Sequence, residues 1–231
     1  MDNNSLLLYR AAGRGKVNEA KIIQLFPISV YTSNIEINED DKKNIIGEDY
    51  ERMFSGNGDY TKNKYLLHDT RYKNLKEEIH NHLEVYTKKY LSVKKHIKFY
   101  MQNSWAVRHQ NEDWGQSHIH ANSLLSGVYY IQTKENSGDI CFHKPMGYTN
   151  IFHSSTNVPF EEFDNHNCDV YNITPEDGKL LLFPSHLYHS INNNISGITR
   201  YSVSFNFHVD AELFSEASKI DYLKLKEFKY E

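Results

Sequence analysis

The spacing of apolar residues changes character along this chain. Residues 1–20 hold no sustained period, which predicts a flexible N-terminal arm. Residues 21–35, KIIQLFPISVYTSNI, are β-prone but broken by Pro27, a pattern suited to an edge strand. From residue 41 to about 92 helical signals dominate. Asp69 is a candidate N-cap, and Leu75, Ile79, Leu83 and Tyr86 follow at steps of three and four, an amphipathic face. His80 and His82 fall on this helix, where residues two apart point in different directions, and are read as solvated.

After Lys94 the period shortens to that of strands. HIKFYMQNSWAV, SLLSGVYYIQT, GDICFHKP, GKLLLFP and TRYSVSFNFHV are short β-prone runs separated by Gly, Pro and Asn. Residues 209–231 return to a helical pattern. Helices followed by closely spaced strands predict a mainly β fold with N-terminal helices, a double-sheet structure of jelly-roll type. The long polar loop 147–177, with Tyr148, His153, His166 and Tyr171, is expected at the mouth of any pocket.

Composition narrows the partners. At 231 residues the chain can bury one substantial core. A net charge of −4 points away from nucleic acid and from anionic membrane surfaces. Two separated cysteines, Cys141 and Cys168, make neither a disulfide framework nor a cysteine-rich zinc site. With no long apolar run and no secretion signal, the expected location is the cytoplasm.

Two patterns carry candidate chemistry. In GQSHIHANS, His118 and His120 are two apart and project to one side of an extended chain, where they could share a metal ion. An iron(II) facial triad needs two histidines and a carboxylate, and the second residue here is His120 instead. In RYSVSFNF, Arg200, Ser202, Ser204 and Asn206 share one face. That face has too few charges for a solvated surface and suits a cavity holding a small anion. His189 precedes Arg200 by eleven residues and sits at a strand edge or start, whereas His186 has the opposite parity. Extending the His118/His120 parity reaches Asn122, Ser126, Val128 and Tyr130, and on the preceding run Asn103, Trp105 and Val107 share a face.

The order HxH, distal His, then Arg-x-Ser resembles the 2-oxoglutarate and iron(II)-dependent oxygenases of the prolyl 4-hydroxylase-like superfamily. The match is closest to a branch known mostly from bacterial and phage genomes. Its motifs correspond to Asn103–Trp105, His118–Ile131, Gly138–Phe142 and Leu180–Phe207, so the resemblance covers roughly residues 100–208. It implies a double-stranded β-helix (a cupin-like jelly-roll) at about 95–208. Around it, one oxygenase domain would span 21–231, with helical support at about 41–92 and a C-terminal helical segment at 209–231.

The resemblance also implies Fe(II) on His118, His120 and His189, and 2-oxoglutarate held by Arg200 and Ser202 with Tyr130 and Asn103 nearby. Ascorbate would serve as reductant and a small molecule or peptide as substrate. A homodimer is compatible with this reading, and a phage-encoded copy would act in the host cytoplasm. Three metal arrangements stay open: three histidines, two with His120 behind them, or His120 with Asn122 or Asp139. So do two other functions, a three-histidine cupin-type dioxygenase without 2-oxoglutarate and a non-enzymatic carbohydrate-binding or assembly module.

Overall fold

The computed structural model describes residues 25–53, 58–145, 159–210, 213–214 and 221–222. Eleven strands form two antiparallel sheets. In chain order they are β1 (Tyr31–Asn34), β2 (Tyr50–Arg52), β3 (Asp59–Thr61), β4 (Lys98–His109), β5 (Gly115–His118) and β6 (Leu125–Gln132). Then come β7 (Ile140–His143), β8 (Val170–Ile173), β9 (Lys179–Pro184), β10 (His189–Ile191) and β11 (Arg200–Asp210). The larger sheet runs β1-β9-β6-β11-β4-β3-β2 and the smaller β5-β10-β7-β8. This is the jelly-roll expected from the strand spacing, and β1 lies at a sheet edge with Pro27 just ahead of it.

Alternation on the central strands sorts side chains between two cores. Val203, Phe205 and Phe207 of β11, Tyr129 of β6 and Leu180 and Leu182 of β9 pack with Leu75, Ile79 and Leu83 of helix α2 (Lys73–Glu84) and with Tyr86 of the π-helical segment that continues it (Val85–Tyr90). The opposite parity, Val128, Tyr130, Leu181 and Phe183, packs toward the small sheet with Ile140, Phe142 and Leu187. Both faces of β6 and β9 are thus covered, which is why LLLF reads as an unbroken apolar run. Each fully buried Leu, Val or Phe contributes about 1.5–3 kcal/mol. Gly127 is required by this packing: a Cβ there would meet the Phe205 ring and lie 2.7 Å from the Leu181 carbonyl.

Four expectations need correction. The region 41–92 is not all helical support. Helix α1 (Glu39–Ile46), capped by Asn38, is followed by β2 and β3, which extend the large sheet through Asp59↔Arg108 and Tyr60↔Val107. Their stability comes from distant partners, since Arg108 and Arg52 both bond Asp59, and local periodicity cannot register such contacts. Asp69 caps a 3-10 turn, Thr70–Tyr72, that leads into α2 rather than capping α2 itself. His80 and His82 do diverge but are not solvated. His80 packs edge-on against Phe207 (5.5 Å) and His82 bonds the Tyr31 hydroxyl (2.8 Å).

At the C-terminus β11 continues to Asp210, and the described residues beyond it are strands. Leu213–Phe214 (β12) pairs with Asp221–Tyr222 (β13). Adjacent apolar residues suit an extended pair as well as a helix, so the period was ambiguous there. The loop 147–177 contains β8, which adds to the edge of the small sheet. Tyr148, His153 and the N-terminal arm lie outside the described residues. Among the described residues no helix is long and apolar enough to cross a membrane.

Candidate metal and anion site

His118 and His189 are brought together by sheet register. His118 ends β5, His189 opens β10, and the two are direct cross-strand partners. His120 lies two residues beyond β5, where the chain leaves the small sheet for the large one. Asn122 in that crossing has φ 64°, so the HxH pair closes one strand rather than opening the next. One nitrogen from each of the three imidazoles falls within 4.8 Å of the others. No carboxylate joins the cluster among the described residues. Asn122 is exposed, and neither it nor Asp139 lines the cavity.

The hydrogen bonds fix which nitrogen is available. His118 Nδ1 donates to the Gln116 carbonyl (2.7 Å), His189 Nδ1 to the Leu187 carbonyl (2.9 Å) and His120 Nδ1 to Asn206 Oδ1 (2.5 Å). Carbonyl oxygens only accept, so each Nδ1 carries the proton and each Nε2 presents a lone pair. The Nε2 atoms of His118 and His120 stand 3.2 Å apart. Two lone pairs at that distance repel unless a cation lies between them. Burial, reinforced by His118, pushes His189 down to about 3, and burial also lowers His120. Neutral imidazole is the form that binds a metal. The donor chemistry therefore fits a divalent transition metal such as Fe(II).

A cavity of about 460 Å³ connects this cluster to a second polar group. Arg200, on β11, is 1% exposed. Its guanidinium donates to the Gly138 carbonyl (2.7 Å) and to His109 Nδ1 (2.6 Å), while its Nε has no partner. Gly138 adopts φ 93°, a conformation that suits glycine and turns its carbonyl to the arginine. Among the described residues Arg200 makes no ion pair with a carboxylate. The Tyr130 hydroxyl, also buried, is without a partner, and Ser202 is the cross-strand neighbour of Tyr130. Burial pushes Tyr130 up to about 12, so it stays a donor. A buried cation with no counter-ion is costly; the guanidinium carbon lies 5.8 Å from the Tyr130 ring centroid, and the free Arg200 Nε and Tyr130 hydroxyl, on residues lining one cavity, fit a carboxylate.

His118, His120, His189, Arg200, Ser202, Tyr130 and Asn103 all line the cavity. Asn103 does so with its Oδ1 already engaged by Asn206 Nδ2 (2.8 Å). His186 is exposed and stands apart, and His166 and Tyr171 do not line the cavity, so the described part of the long loop is not its mouth. Trp105, Trp114 and Tyr60, none of them fully buried, line the cavity. One contributor was overlooked: His109, which holds Arg200, continues the Asn103–Trp105–Val107 parity by one step. Asn206 was read on the Arg200 face, but its contact with His120 was not foreseen.

Residues 103–206 match the model of a family described as "Putative 2OG-Fe(II) oxygenase". Among curated proteins none matches the chain. Of solved structures, HygX from Streptomyces hygroscopicus with nickel and 2-oxoglutarate bound is similar at 10% identity and TM-score 0.55, covering 80% of this chain and 88% of its own. A prolyl hydroxylase from Trichoplax adhaerens, in complex with a peptide fragment of hypoxia inducible factor, is similar at 12% identity and TM-score 0.52, covering 77% and 82%. At these identities the structures speak to the fold, that of the double-stranded β-helix, while the family pattern covers the segment that carries all three histidines and Arg200. Residues 103–206 thus resemble the 2-oxoglutarate/Fe(II) oxygenases over the segment that carries the candidate site.

Proposed function

We propose that this enzyme is a dioxygenase that hydroxylates a C–H bond while converting 2-oxoglutarate to succinate and CO2. The observation that carries the reading is a single cavity with three Nε2 lone pairs at one place and an unpaired, buried Arg200 at another. His118, His120 and His189 hold Fe(II), and Arg200 with Ser202 and Tyr130 holds the far carboxylate of 2-oxoglutarate. Together the bound iron and cosubstrate supply the oxygen activation, with one oxygen atom going to substrate and one to succinate.

The chain's own part is positional. The Nδ1 bonds aim three neutral imidazoles at one point. Arg200 is held by Gly138 and His109, so it meets the carboxylate without reorganising. Tyr130 donates its hydroxyl proton as a hydrogen bond and keeps it. Trp105, whose ring lies 5.8 Å from that of His120, walls the metal side against water.

That no carboxylate joins the three histidines among the described residues favours a second reading, a cupin-type dioxygenase that uses no 2-oxoglutarate. It leaves the unpaired Arg200 without a role, and is the weaker for that. The test is succinate release by purified protein with Fe(II), ascorbate and 2-oxoglutarate over a panel of small molecules and peptides. Release above that of His189→Ala supports the proposal, and equal release across the panel refutes it.

A further inference from the structure

We infer that Asn206 is the positioning residue for His120, the side chain that turns its Nε2 to the metal. The inference rests on the three-histidine reading above. His118 and His189 are each oriented by a backbone carbonyl two residues earlier, a local contact that belongs to their own segments. His120 has no such partner. It sits outside any strand, and its Nδ1 bonds a side chain 86 residues away on β11.

Asn206 is built for this task. It is 5% exposed, and both ends of its amide are in use. Oδ1 accepts from His120 Nδ1 (2.5 Å) and from the Ser126 hydroxyl (2.8 Å), and Nδ2 donates to Asn103 Oδ1 (2.8 Å). Turning the amide over would set oxygen against oxygen at Asn103, so the network fixes its orientation. Ser126 also bonds the Ser185 hydroxyl (2.7 Å), and the Ser185 carbonyl accepts the His120 backbone N–H (2.9 Å).

The contacts therefore close a ring, from the His120 imidazole through Asn206, Ser126 and Ser185 back to the His120 main chain. His120 is gripped at both ring and backbone by one buried network. An amide oxygen holds the Nδ1 proton without adding charge, and the imidazole keeps its Nε2 lone pair for the metal. A carboxylate at this position would make the same bond and raise the basicity of the ligand.

The experiment measures metal binding rather than turnover. Mn(II) and Co(II) are titrated into the full chain without 2-oxoglutarate, by calorimetry and by the visible spectrum of bound Co(II). Asn206→Leu is expected to weaken binding about 10- to 100-fold, with circular dichroism confirming the fold. In a His120→Ala background the same change should cost less than twofold, because the ligand it orients is gone. Asn206→Asp should bind at least as tightly as wild type, with a shifted Co(II) spectrum. Wild-type-like affinity in Asn206→Leu, full additivity in the double variant, or tenfold weaker binding in Asn206→Asp each overturns the role of Asn206. Failure of the wild type to bind either metal instead overturns the three-histidine reading.

Discussion

Replacing Arg200 by Met tests the anion site directly. The substitution keeps an unbranched apolar stem and removes the guanidinium. That guanidinium is buried and bonded to three neutral groups, the Ser137 and Gly138 carbonyls and His109; among the described residues it pairs with no carboxylate, and burial lowers its pKa. An arriving carboxylate would gain a desolvated, charge-assisted partner. Truncating one partner of such a pair costs about 2–5 kcal/mol, which at about 1.4 kcal/mol per tenfold is about 30- to 4000-fold in affinity. The stability of the empty protein should change far less, because the lost bonds are offset by relief of a buried, unpaired charge. The assay is calorimetric titration of 2-oxoglutarate into Ni(II)-loaded wild type and Arg200→Met, with melting curves of each with and without ligand. Affinity should collapse and the ligand-induced rise in Tm disappear, while the unliganded Tm stays close to wild type. Retention of affinity within threefold would show that Arg200 does not face the cosubstrate.

Two further outcomes probe the scaffold around the site. Gly127→Ala forces a Cβ against Phe205 and the Leu181 carbonyl; it should destabilise the protein by about 1–3 kcal/mol in urea denaturation, and a loss below about 0.5 kcal/mol would refute the packing argument. Burial alone would raise the Asp59 carboxyl, yet hydrogen bonds from Arg108 and Arg52 outweigh it and hold Asp59 below its ordinary value. A lowered folded pKa gives stability that is present above the ordinary carboxylate pKa of about 3.9 and is lost as pH falls through the folded value. Urea midpoints from pH 7 to pH 3 should therefore fall more steeply for wild type than for Asp59→Asn, and parallel curves would contradict this.

A site of three neutral imidazoles leaves both charges of a divalent metal uncancelled, whereas a carboxylate ligand removes one. The excess favours a dianionic cosubstrate such as 2-oxoglutarate, and Arg200 is buried in the same cavity. The two departures from ordinary burial rules, facing lone pairs and a cation without a counter-ion, would both be answered by one metal ion and one dianion.

Much of this was legible along the chain because side-chain direction in a strand is local. Period-two alternation placed Arg200, Ser202 and Asn206 on one face and Val203, Phe205 and Phe207 on the other, and the structure keeps that division. Helical spacing likewise marked the face of α2 that is buried. Periodicity failed where stability is non-local: β2 and β3 depend on Arg108 and on the edge of β4, and β8 on pairing with β7. The same limit governs the site. The sequence by itself determined the donor types and their parity. Tertiary structure alone decided that His118 and His189 are cross-strand partners, that Asn206 holds His120, that His109 holds Arg200 and that no carboxylate reaches the three imidazoles among the described residues. Parity follows from the geometry of one strand, but register between strands some seventy to ninety residues apart is set by the sheets as they pack.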